Sequence, residues 1–356
     1  MRQRIAFCTA ADGVRIAYAT AGRGHPLLRV GGWLTHLEHD WDSPVWRPWL
    51  RELTRDHTLA RFDIRGSGLS DRDVEDQGLE AWVRDLEAVA DALGWRRFPL
   101  LGICQGGAIA IAYAARHPER VSRLVLYNTY ALGAYTDGAP DDSARQARAL
   151  AAMIDVGWGH RQGAFREVFA RLFSPRGAGD QVAWWDALQA RTATPADAAR
   201  LWRAFNEIDI RGYLGSVSQP TLVAHVRGDA VVPFEIGRRL AARVPGAEFL
   251  PLTGDNHVLQ PEDPGWPTFV RELRRFLQAE HGTSAPLGPS DFALTPRERA
   301  VLELAARGQS NADLARELGI SGKTVRNHLS RIAGKLRART RAELIVAARE
   351  AGFGLG

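Results

Sequence analysis

Apolar residues recur along this chain in two rhythms. Between residues 26 and 252 short apolar runs, PLLRVGG, TLARFD, FPLLGI, VSRLVLY, PTLVAHV and AEFLPL, alternate with stretches of helical periodicity such as Leu79 to Leu93. Runs of that length bounded by turn residues read as buried strands, and their alternation with helices predicts an α/β architecture with a mostly parallel sheet. Reactive side chains are then expected in the loops at the carboxyl ends of the strands. Between Tyr127 and Pro220 about ninety residues keep a helical pattern with no strand-like run.

From Leu294 onward the rhythm is helical throughout. Four helices are expected, because four hydroxyl residues each precede a stretch of helical spacing and can cap its first turn: Thr295 with Glu298, Ser310 with Asp313, Ser321 with Thr324, and Thr340 with Glu343. Pro296 suits a first helical position, and Gly308 and Gly319 suit helix ends. A short helix from Asn311 to Leu318, a turn at Gly319-Ile320-Ser321 and a longer helix from about Gly322 to Leu336 have the proportions of a helix-turn-helix.

Within that longer helix Val325, Leu329, Ile332 and Leu336 form the stripe expected to be buried. The other side carries Lys323, Asn327, Arg331 and Lys335, flanked by Thr324, Arg326 and His328, and no acidic residue occurs from Arg326 to Arg341. Residues 290–356 hold 12 basic and 7 acidic side chains, while the remainder holds 34 of each, so the formal surplus of +5 belongs to this C-terminal unit. Double-stranded DNA is the partner that this pattern predicts, with Arg326, Arg331 and Lys335 near phosphates and Lys323, Thr324, Val325 and Asn327 near base edges. A basic helical bundle that docks on protein is the alternative.

The segment LTPRERAVLELAARGQSNADLARELGISGKTVRNHLSRIAGKLRARTRAELIVAARE resembles a LuxR-type helix-turn-helix over nearly its whole length. The resemblance implies that the third helix enters the major groove. It also implies that the fourth pairs with a second copy, with Leu344, Ile345 and Ala348 available for the contact, and hence a homodimer on two half-sites.

The upstream residues carry different chemistry. Gly102-Ile103-Cys104-Gln105-Gly106 joins a strand to a helix of small residues, which is the setting of a nucleophile elbow with cysteine in place of serine. Together with Asp63-Ile64-Arg65-Gly66-Ser67-Gly68-Leu69-Ser70, this makes residues from about Ile5 to Leu277 resemble the α/β-hydrolase superfamily. The family order of nucleophile, acid and base then implies Cys104, Asp229 and His257, with Asp255 as a competing acid. It further implies an oxyanion hole from the Gln105 N–H and from Trp33 or Leu34. The His-Gly pair common at that loop is here Gly31-Gly32, which leaves the second donor open. Cys-His-Asp triads occur in the dienelactone hydrolase branch of the fold; an inert, buried Cys104 is the other reading.

The resemblance also turns the long helical interval into a cap, at about residues 131–216, whose tryptophans and phenylalanines would form their own core and partly roof an apolar pocket. The expected organisation is a hydrolase-like domain at 1–280, a linker at 281–291 and a helix-turn-helix domain at 292–356. No cofactor pattern is present, and the cluster His36, Glu38, His39 and Asp40 lacks a second set of metal ligands and reads as loop. Two cysteines, no secretory leader and no uninterrupted apolar span point to the cytoplasm and away from a membrane. The expected function is a transcription regulator that senses a small, largely apolar ester, lactone or carbonyl compound. The alternative is an active esterase or lactonase carrying a DNA-binding module.

Overall fold

The strands of the computed structural model are β1 (Gln3–Thr9), β2 (Arg15–Gly22), β3 (His25–Val30), β4 (His57–Phe62), β5 (Phe98–Ile103), β6 (Val121–Tyr127), β7 (Thr221–Val226) and β8 (Glu248–Leu252). They form one sheet in the order β1-β2-β4-β3-β5-β6-β7-β8. The structure describes residues 2–158, 164–283, 294–336, 338, 340–350 and 353–354. Strands β3 to β8 pair in parallel, whereas β1 and β2 form an antiparallel hairpin whose second strand pairs antiparallel with β4. The six apolar runs became the parallel strands. The hairpin was not predicted, although residues 5–8 and 16–19 are short apolar runs; β1 is nowhere fully buried along its length.

The helices of this unit are α1 (Leu37–Trp41), α2 (Arg47–Leu53), α3 (Leu79–Ala92), α4 (Gln105–Arg116), α5 (Asp141–Gly157), α6 (Ala164–Phe173), α7 (Gly179–Thr192), α8 (Pro195–Asn206), α9 (Phe234–Arg243) and α10 (Trp266–Thr283). The small-residue helix α4 packs on β3, β5 and β6 at the centre of the sheet. Helices α5 to α8 fill the interval between β6 and β7, and a bridge between Leu132 and Asp209 ties the two stems of that insertion together. The His36–Asp40 cluster, expected as loop, instead forms the start of α1, with the His36 side chain accepting from the His39 N–H. No metal-binding group of acids, cysteines and histidines occurs among the described residues.

Tertiary contacts divide the chain into residues 1–278 and 279–356. Helix α10 continues to Thr283, so the start of the expected linker is helical; residues 284–291 lie outside the described residues. The C-terminal unit consists of α11 (Pro296–Ala306), α12 (Asn311–Leu318), α13 (Gly322–Leu336) and α14 (Arg341–Glu350). Thr295–Glu298 and Ser310–Asp313 form reciprocal capping boxes, and Gly319 closes α12 in the left-handed conformation at φ 62°. The Glu343 side chain, expected to complete a cap, lies outside the described residues. Among the described residues no helix is long and apolar enough to cross a membrane.

Candidate functional site

Cys104 stands between β5 and α4 with φ 53° and ψ −123°, a strained backbone for a residue with a Cβ. The turn holds because its neighbours are small: a Cβ on Gly106 would lie 2.3 Å from the Val30 carbonyl oxygen. The Cys104 N–H donates to Tyr127 O at 3.0 Å, and Thr129 Oγ1 donates to the Cys104 carbonyl at 2.5 Å. The elbow is therefore fixed from both sides.

His257 and Asp229 arrive from the loops after β8 and β7. His257 Nδ1 and Asp229 Oδ2 are 2.7 Å apart, and Asp229 Oδ1 accepts the N–H groups of Val231 at 2.8 Å and Val232 at 3.2 Å. Burial by itself would lower the imidazole pKa, but the adjacent Asp229 carboxylate, reinforced by Cys104, lifts it to about 10. His257 Nε2 is buried and makes no hydrogen bond to the described residues. Cys104, Asp229 and His257 thus converge, with the imidazole between the carboxylate and the sulfur. Asp255, the competing acid, turns outward to pair with Arg176 at 2.9 Å.

One positioning residue escaped the sequence reading. Asn128, with φ 45°, donates from Nδ2 to the His257 carbonyl at 2.7 Å and accepts the Val226 N–H at 2.8 Å. It staples the histidine loop to the end of β7. Its position immediately after the run VSRLVLY was the only hint.

Trp33 and Leu34 lie in the loop after β3, both buried, and Leu34 has φ 60°. The Trp33 N–H, one of the two candidate second donors to an oxyanion, donates to the side-chain Oε1 of Gln105 at 3.3 Å. The Trp33 ring meets Trp158, Phe169 and Trp202 at centroid distances of 5.3, 5.3 and 5.0 Å. Its indole Nε1 is buried without a hydrogen-bond partner among the described residues. Phe173 packs edge-on to His257 at 5.3 Å, and the His257 N–H donates to the Phe173 carbonyl. Helices α5, α6 and α8 therefore supply a roof of aromatic rings that meets Trp33, and α6 also meets the histidine.

Other aromatic residues of the interval do different work. Phe205 stacks on Trp82, Tyr213 lies under Arg116, and Trp184 stacks on His39. The Phe165 side chain is outside the described residues. A cleft of about 680 Å³ lined by Tyr135, Arg148, Asp155, Arg203 and Glu207 includes no triad residue. The Asp63–Ser70 segment is a structural pin: Asp63 Oδ2 accepts the Leu37 and Leu69 N–H groups, and the fully buried Arg65 pairs with Asp85 at 2.7 Å.

In the C-terminal unit Lys323, Arg326, Asn327 and Arg331 are exposed on α13, while Thr324 and His328 are half-buried. One expectation on this helix is corrected. Val325 is 0% exposed and packs with Leu304 and Leu314, so its methyls cannot meet a thymine. Lys335 is exposed and pairs with Glu298, Nζ to Oε2 at 2.6 Å. This contact and the Thr295 N–H pull the Glu298 pKa down to about 2. Leu344 and Ala348, expected on a pairing face, are instead buried in the core of their own unit, which leaves Ile345 half-exposed.

Comparison with known proteins assigns both units. Residues 26–264 match the family described as alpha/beta hydrolase fold, and residues 293–348 match the family described as bacterial regulatory proteins, luxR family. The chain is 29% identical over 292 residues to a 2-hydroxy-6-oxo-2,4-heptadienoate hydrolase of Pseudomonas putida, covering 76% of this chain and 95% of that protein. It is 26% identical over 239 residues to the AB hydrolase superfamily protein YisY of Bacillus subtilis, covering 66% of this chain and 86% of that protein. A hydrolase from Pseudomonas aeruginosa superposes with a TM-score of 0.63 at 26% identity, over 77% of this chain and 98% of its own.

Proposed function

The chain belongs to the α/β hydrolase fold family and carries a C-terminal LuxR-type DNA-binding domain; from that premise we propose that it is a cytoplasmic transcription regulator whose hydrolase-like domain senses a small, largely apolar ester, lactone or carbonyl compound. The observation that carries the reading is the buried His257–Asp229 pair retained behind a cysteine elbow, in one chain with a basic helix-turn-helix.

Cys104, His257 and Asp229 are assigned as a triad. Cys104 Sγ, its proton already held on His257 Nε2, would bond to the ligand carbonyl carbon, with the developing oxyanion facing the Gln105 and Trp33 N–H groups. Collapse would expel the alcohol, which recovers the proton from the imidazolium, and leave a thioester on Cys104; His257 would then activate water to release the acid. Asp229 holds the imidazole tautomer and stabilises its charged form. If the second half is slow, the thioester is a lasting signal. The aromatic roof of Trp33, Trp158, Phe169 and Trp202 supports an apolar ligand. On the DNA side we assign Arg326 and Arg331 to phosphates, and Lys323, Thr324 and Asn327 to base edges, in a homodimer.

The second reading is an esterase or lactonase with sustained turnover, favoured by the same pair of buried triad partners. Wild type and Cys104→Ala, given a panel of chromogenic acyl esters and lactones, separate the two. A single-equivalent burst that Cys104→Ala abolishes supports the sensor, and steady release lost in the variant supports the enzyme. Release unaffected by the substitution would remove Cys104 from either role.

A further inference from the structure

Gln105 occupies its position twice over. Its backbone N–H opens α4 beside the elbow, and its side chain folds back across the loop after β3. The carboxamide Oε1 accepts the Trp33 N–H at 3.3 Å. A Cβ built on Gly32 would lie 2.2 Å from that same oxygen and 3.3 Å from the Gln105 nitrogen. The space left by the missing side chain at position 32 is therefore filled by an amide oxygen, and Gln105 is itself buried.

We propose that the Gln105 carboxamide is a built-in occupant of the oxyanion hole, whose oxygen stands in for a ligand carbonyl and must be displaced before one can bind. The proposal rests on the reading of Cys104 as the residue that meets a carbonyl ligand. It makes Gln105 a specificity-determining residue. A ligand succeeds only if its oxygen bonds the Trp33 N–H better than a neutral amide does, which favours carbonyls that become oxyanions on sulfur addition over groups that merely fit. Displacement would also be felt at the roof, because the Trp33 whose N–H is exchanged is the Trp33 whose ring touches Trp158, Phe169 and Trp202.

Two measurements on the full-length protein test this, with Gln105→Ala and Gln105→Met. Alanine removes the acceptor and its bulk; methionine keeps the bulk without an amide oxygen. Thermal melting and DNA affinity establish that each variant is folded. First, amide hydrogen exchange at Trp33 is expected to quicken in both variants relative to wild type, because the acceptor is gone; unchanged protection in both would overturn the proposal. Second, the probe 2,2,2-trifluoroacetophenone forms a hemithioketal when Sγ, its proton held by His257, bonds to the carbonyl carbon, placing an oxyanion in the hole. Fluorine NMR is expected to show roughly 2- to 10-fold tighter adduct formation in both variants, the net worth of one displaced hydrogen bond. Equal or weaker adduct formation in both would overturn it, and a gain in alanine alone would mean that bulk, not the amide oxygen, closes the hole. An adduct absent from all three proteins would instead count against Cys104 as nucleophile, and the exchange result would then decide the Gln105 contact alone.

Discussion

His257 Nδ1 lies 2.7 Å from Asp229 Oδ2, and both side chains are sealed from solvent. A carboxylate so placed is costly to bury unless it is paired, and here it is paired with the imidazole and with two backbone N–H groups. Asp229→Asn keeps the shape and removes the charge. It is expected to slow acylation of Cys104 by 4-nitrophenyl acetate by roughly 10³- to 10⁴-fold, because the tautomer and the imidazolium both lose support. A loss below tenfold would show that the imidazole is held by other contacts.

The same pair sets a pH dependence. The folded His257 pKa is raised to about 10, while an unfolded histidine ionises near ~6.5. The stabilisation from charged His257 is therefore fully present below the unfolded value and is lost as pH rises toward the folded one. The melting-temperature gap between wild type and Asp229→Asn should narrow between those limits, and Cys104→Ala should itself lower the His257 pKa read by NMR.

Lys335 and Arg331 should separate in DNA binding. Arg331→Ala is expected to weaken binding and reduce the slope of log K against log salt by about 1, as one phosphate contact is lost. Lys335→Ala should leave the slope unchanged while lowering the melting temperature of the C-terminal unit, since its partner is Glu298. A slope that falls with Lys335→Ala would assign that lysine to a phosphate as well.

Trp202→Ala should cost about 3–5 kcal/mol of stability in the hydrolase-like unit, the usual cost of deleting a buried tryptophan. Because Trp202 touches Trp33, ligand response should change with it. Basal DNA affinity should not; parallel loss of both would indicate general misfolding.

Gly106→Ala places a methyl against the Val30 and Gly31 carbonyl oxygens, at 2.3 and 2.6 Å. Overpacking of this kind costs about 1–3 kcal/mol, and here the obstacle is backbone. Denaturant unfolding should show at least that loss. A neutral effect would mean that β3 can retreat from α4.

The sequence by itself determined the parallel sheet and the helix-turn-helix, because each is written in local terms, apolar runs and capping residues; Cys104, Asp229 and His257 were pointed to by the resemblance of their strand-end settings to a known family. Periodicity also marked Val325 as buried, a restriction the DNA reading had not carried through. Only the tertiary structure decided what lies across space. Which atom takes the Trp33 N–H depends on a side chain 72 positions away, which loop Asn128 ties down depends on one 129 positions away, and the partner of Lys335 lies 37 positions upstream. Such contacts form when the fold closes loops, and no spacing in the chain records them. The same holds for the cap aromatics: composition placed them in one interval, but packing divided them between a roof that meets Trp33 and His257 and the framework that carries it.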